Sequence, residues 1–267
     1  MDNFSQSQFF KPTRNIALWT SILLTLILML ETVNIVINLA KVILASKYPE
    51  TVEASLLQEN SDFTDMPGGV TQAAVEMLTL GLGFFAVIGY IITVITFLIW
   101  MHQSYSNLKP LGIRNTEYSS AWAVGSWFVP FMNLVRPYNI IKEIWDRSDP
   151  DKVETEATPS ASTLEMTQIA TPMFGVWWAF WIISNVFTNV SARYTLRANS
   201  LQQFVVTFWS EIISSVFTIV AAILAIGVVR AVSARQEERY QRMSAIIQPP
   251  PTFDYNTLPT FKRSNFA

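Results

Sequence analysis

Four long apolar runs, residues 16–44, 77–101, 173–190 and 205–229, decide what this chain can fold into. Their hydrophobic residues are bunched instead of alternating with polar ones, so none reads as a strand with one wet face. A bilayer's hydrocarbon core is about 30 Å thick and takes about 20 apolar helical residues to cross. Within it the backbone amides must find partners inside the protein, which a helix supplies for itself. The first run, Ile16 to Leu44, would reach about 43 Å as helix and must tilt or project into the headgroups. The third run is the shortest, and Trp177, Trp178 and Trp181 at its start suit an interfacial aromatic belt. The reading is an all-α, polytopic membrane protein with four transmembrane helices.

Charge sets the expected orientation. The loop after the first run carries Glu50, Glu53, Glu59, Asp62, Asp65 and Glu76 against Lys47 alone, which places it away from the cytoplasm. The last run ends in Arg230, Arg235, Arg239 and Arg242, a cytoplasmic signal, so both termini are expected inside. Arg193 and Arg197 in the second outer loop oppose this bias. Lys11 and Arg14 before the first run also suit a signal peptide, but the run is too long for one and lacks a small-residue cleavage site, so a retained anchor is expected. The domain reading is a cytoplasmic tail at 1–15, a helical membrane domain at 16–247 and a disordered, Pro-rich tail at 248–267. The arginine-rich helix before that tail reads first as a topology determinant and second as a binder of anionic lipid.

Composition narrows the function classes. Only 14% of residues are charged and the net charge is −2, with no basic stretch interleaved with aromatics, so no nucleic-acid partner is expected. The chain has no cysteine and one histidine, His102, which removes thiolate and His-rich metal sites. Phosphate-binding loops, dinucleotide fingerprints and nucleophile elbows are absent from the sequence. No enzyme activity, cofactor, catalytic residue or metal site is expected. Trp19, Trp100, Trp145 and Trp177 fall near run boundaries and read as interfacial anchors.

The segment between the second and third runs breaks the pattern. Residues 120–135 are apolar and aromatic but short for a crossing, with Gly125 and Pro130 inside. A fifth crossing would move the arginine-rich end outside, so a re-entrant or interfacial helix is preferred. A surface helix then follows over 137–148. Pro137 suits its first turn, and Tyr138, Ile141, Ile144 and Trp145 share one face, with Lys142, Glu143, Asp146 and Arg147 opposite. Its natural place is the cytoplasmic membrane face, apolar side down, with Glu143 and Arg147 spaced to pair. Arg136 reads as a snorkelling residue or a cap on the re-entrant segment.

Trp127, Pro130, Asn133, Leu134 and Pro137 form a W-x-x-P-x-x-N-L-x-x-P core, followed by Glu143, Ile144 and Trp145 on the helix. This pattern, within Phe97 to Asp149, resembles the bacterial membrane proteins grouped as domain-of-unknown-function family 4328. The match is close over about fifty residues and looser over two-thirds of the chain. The long acidic outer loop and the Pro-rich tail depart from it. The resemblance implies architecture and residence in a bacterial inner membrane, and carries no activity with it.

Polar residues inside spans are costly and mark functional candidates. In the first run Glu31, Asn34, Asn38 and Lys41 share a helix face, and in the third Asn185 and Asn189 precede Arg193. Glu76 and Glu211 stand at the outer ends of the second and fourth runs. This suggests two related hairpins, with Lys41 near Glu76 and Arg193 near Glu211. The plainer reading is helix-packing glue at about 0.6 kcal/mol per bond. Glu31 could hold two roles, a packing hydrogen bond or a step in a proton path. The expected function is a non-enzymatic membrane platform for a protein partner or lipid, with a homo-oligomer as the other expected assembly. A small oligomeric channel or transporter using Glu31, Asn34 and Asn38 is the alternative, and a lipid-acting enzyme the least supported.

Overall fold

A computed structural model describes residues 9–56, 67–113, 115–151 and 161–247. The expected disordered tail at 248–267 and the acids Glu59, Asp62 and Asp65 lie outside the described residues. The elements are α1 (Arg14–Lys47), α2 (Pro49–Leu56), α3 (Gly69–Ser106), α4 (Ser120–Gly125), α5 (Arg136–Arg147), α6 (Ala161–Thr195) and α7 (Leu201–Ile247), with a 3-10 turn at Met132–Leu134 and no strand among the described residues. Four helices are long and apolar enough to cross a membrane: α1, α3, the Met173–Thr195 part of α6 and most of α7. These contain the four apolar runs. All four helices outrun them, because helix propensity and tertiary packing continue past the point where hydropathy falls.

The helices alternate in direction, so one end of the bundle gathers Arg14, the end of α3 and the arginines of α7, and the other gathers Glu50, Glu53 and Glu76. α1 and α6 pack on α7, and α3 packs on α1, giving the spatial order α3, α1, α7, α6. The main core sits at the Arg-rich end, where Trp100 and Met101 of α3 meet Ile140, Ile141 and Ile144 of α5, Phe174 and Trp177 of α6, and Val228 and Val232 of α7. A smaller cluster of Leu44, Ala45 and Val52 closes the other end. Between them α3 leans outward, with Phe84, Phe85, Val87, Ile91 and Ile95 at least half exposed, the surface that acyl chains would cover.

Local chemistry sets the element boundaries. Thr13 precedes α1 without a side-chain cap. The entering chain is instead fastened to the end of α3: the Asn107 amide donates to Lys11 O at 2.8 Å and its Oδ1 accepts from Lys11 N at 3.1 Å. Gly68 starts α3 at φ +85°, and a Cβ there would strike the Tyr48 ring, so glycine is required twice over. The helix α2 lies in a stretch read from sequence only as acidic loop.

The segment 120–135 does not cross. Ser119 caps α4 by accepting from Trp122 N at 3.3 Å. The chain then reverses at Phe131, whose φ of 64° accompanies a Met132 N to Pro130 O bond of 2.8 Å, a γ-turn of the strained kind. The entry to the segment is pinned against α3 and α5: Tyr118 N donates to the Tyr105 hydroxyl, and Glu117 N to the Glu143 carboxylate. Phe128 and Phe131 at the tip are 72% and 85% exposed, which suits a tip held among lipid chains.

The helix α5 departs from the expectation in what covers it. Its apolar face does not lie open for the bilayer; Ile140, Ile141 and Ile144 are fully buried against α3, α6 and α7, and Trp145 nearly so. Periodicity records that a face must be covered, and protein covers this one. Glu143 is buried too and does not pair with Arg147, because Tyr105 and the Glu117 amide occupy its oxygens. The tryptophan expectation is corrected likewise: Trp100, Trp145 and Trp177 are core residues, and of the four named only Trp19 faces outward.

Candidate functional site

The family-type motif builds a polar cap at the Arg-rich end. Trp127 is its inner anchor, edge-on to Phe97, Trp178 and Trp181 at ring distances of 5.7, 5.5 and 5.3 Å. Aromatic pairs in this geometry add about 0.5–1.5 kcal/mol each beyond burial. Pro130 shapes the reversal, and Trp178 Nε1 donates to Leu134 O at 2.8 Å, tying the returning strand of the re-entrant segment to α6. Arg136 caps that segment's root, its guanidinium 4.7 Å from the Trp122 ring centre. Pro137 occupies the first turn of α5, as its missing N–H permits.

From α5 the motif reaches into a buried hydrogen-bond network. The Glu143 carboxylate accepts from Tyr105 Oη and from Glu117 N, both at 2.7 Å. Trp145 stacks edge-on with Phe174 at 5.5 Å and carries the Arg235 guanidinium 4.4 Å from its ring centre. Arg235 also donates from Nε to Trp145 O at 3.2 Å and pairs with Asp149 at 3.2 Å. Gln236 reaches Ser104 O at 2.8 Å and Ser148 Oγ at 3.2 Å, and Arg239 donates to Leu111 O and Asp149 O. Arg242 pairs at the rim with Asp151 at 2.6 Å. The arginines of α7 therefore act as bolts between helices. Sequence reading named them only as charges; the signal it missed is the four-residue spacing of Arg235 and Arg239, which puts both on the α5 side.

The polar stripe of α1 is held between α1 and α7. Ser215 Oγ donates to Glu31 Oε2 at 2.6 Å and accepts from Asn34 Nδ2 at 3.1 Å, while Asn38 Nδ2 donates back to Asn34 at 3.0 Å. Lys41 lies 5.4 Å from the Phe208 ring centre. Glu76 instead accepts from Gln72 at 2.6 Å and from Ser55 of α2 at 2.9 Å. Neither of the two proposed hairpin pairs forms a contact ion pair among the described residues. Ser215, four residues after Glu211, was the missed partner.

Asn185, Asn189 and Arg193 form a separate ladder. Asn185 Nδ2 donates to Trp181 O at 2.7 Å and Asn189 Nδ2 to Asn185 O at 2.8 Å. With Arg193 they line a cleft of about 370 Å³ between α6 and the re-entrant tip, where Asn133 and Leu134 close the inner end. Glu31 is not on this cleft.

A family model described as Domain of unknown function (DUF4328) matches residues 69–234. No curated protein and no solved structure matches the chain. The match runs from the first residue of α3 to the edge of the arginine bolts, includes the whole Trp127 to Trp145 motif and covers more than half of the 267 residues, so the chain belongs to the DUF4328 family.

Proposed function

We propose that this chain is a non-enzymatic, multi-pass protein of the bacterial inner membrane, with both termini in the cytoplasm, whose Arg-rich end is a rigid platform for a protein partner. The observation that carries this is the cap's construction. Its apolar face and its charged bolts are consumed internally, Arg235 on Asp149 and Glu143 on Tyr105, leaving a preformed polar surface with Lys142 and Arg147 exposed. Such a surface recognises a partner by charge and shape without refolding, which lowers the ordering cost of binding. The positive-inside bias supports the orientation. The cysteine-free chain permits a direct test: single cysteines at Lys142 and Arg197, probed in intact cells with an impermeant maleimide, should label only at 197. A photocrosslinker at Lys142 or Arg147 should give a discrete adduct in cells, and its absence at both positions would refute the platform.

A second reading, a small oligomeric channel or transporter, draws on the polar stripe Glu31, Asn34 and Asn38 of α1. Hydrogen bonding of the stripe to Ser215 favours packing instead. Proton flux in proteoliposomes, abolished by Glu31→Gln, would reverse that preference.

A further inference from the structure

We infer that the cleft between α6 and the re-entrant tip is a binding site for an anionic phospholipid entering sideways from the leaflet at the acidic-loop end. The site is independent of the platform at the opposite end. Its volume, about 370 Å³, is in the range of specific small-molecule pockets. Its wall is amphipathic along one helix face: Arg193 at the mouth, Asn189 and Asn185 at successive turns below, and Val186 and Trp181 beside them. The helical rise separates these levels by about 6 Å each, a spacing that sets a phosphate level above a glycerol-ester level above chain methylenes.

Charge complementarity selects the occupant. Arg193 makes no ion pair among the described residues, although it lines a cleft with other polar groups. A guanidinium fits phosphate oxygens with two parallel N–H donors. Each asparagine amide spends one N–H on its own helix and keeps the second N–H, with its Oδ1, for a ligand. Ester carbonyls are acceptors for those remaining N–H groups. The floor, Trp181 and Leu134, is apolar and fixed by the Trp178 to Leu134 O bond, so one acyl chain ends there while the other stays in the bilayer. A free phosphate would use Arg193 alone and leave the rest of the wall unfilled.

The test is titration of purified, delipidated protein in maltoside with phosphatidylglycerol, read by native mass spectrometry. One lipid per chain is expected, in preference to phosphatidylcholine. Arg193 is exposed at the end of α6, so Arg193→Gln should fold normally and weaken binding by about tenfold or more, with Arg193→Lys largely restoring it. Val186→Trp should block the cleft and abolish the adduct at unchanged melting temperature. An arginine that merely snorkels to bulk headgroups predicts no effect of Val186→Trp. Equal binding by Arg193→Gln, equal affinity for phosphatidylcholine, or displacement of the lipid by millimolar inorganic phosphate would each overturn the inference.

Discussion

Removing the carboxylate of Asp149 is the sharpest perturbation the cap offers. Asp149 and Arg235 are 2% and 7% exposed and stand 3.2 Å apart. In Asp149→Ala the guanidinium keeps its seat over the Trp145 ring and its bond to Trp145 O, yet loses its countercharge. Breaking one partner of a buried pair costs about 3–5 kcal/mol, because the remaining charge stays desolvated. The retained cation–π contact, about 2 kcal/mol when desolvated, limits the loss and places the expectation near 3 kcal/mol. Replacing both members by apolar groups removes the stranded charge, so Asp149→Ala with Arg235→Met should be more stable than Asp149→Ala alone. Equilibrium unfolding in mixed micelles, run as a double-mutant cycle, measures this. Strict additivity, or a loss under about 1 kcal/mol in the single variant, would refute the bolt and relegate the pair to the status of a surface contact.

Tyr105→Phe removes the buried donor to the Glu143 carboxylate and should cost about 1–3 kcal/mol, followed by thermal melting. Ser215→Ala removes the shared partner of Glu31 and Asn34 and should cost about 0.6–1.7 kcal/mol by the same unfolding assay. Ile141→Ser should lower stability by about 2–4 kcal/mol, since that side chain is buried in protein; a change in membrane association at unchanged stability would point to a lipid-facing α5. Phe131→Gly should relieve about 1 kcal/mol of backbone strain, visible as a higher melting temperature in detergent.

The spans were legible because the cost of placing a backbone in hydrocarbon depends on composition over twenty residues, which a sequence displays directly. Pairing is different, since it depends on which faces meet. The asparagines and Glu31 were visible as a stripe on one helix, but their partner Ser215 lies 184 residues from Glu31 and is an ordinary serine in an apolar run. Nothing local distinguishes it from Ser214, which turns instead to Thr188 of α6 at 2.8 Å. The amphipathic pattern of α5 was equally plain, yet hydrophobic periodicity is blind to the identity of the covering medium. Glu143 was assigned to the wet face for that reason. The four-residue step to Arg147 suggested a helix pair, whereas a tyrosine at the end of α3 had already claimed the carboxylate. Pro130 and Gly125 correctly marked broken backbone, because both act on the chain locally.

One uninterrupted helix, α7, holds Ser215 against Glu31 and, about 36 Å further along at helical rise, Arg239 under the cap. It is the axle on which α1 and α6 both ride. A tilt imposed at the Leu201 end of α7 would therefore be carried to the opposite end as a sideways displacement, reaching α5 through the Arg235 bond to Trp145 O. The same stiffness works in reverse: whatever grips the capped end also sets the angle of the polar midsection.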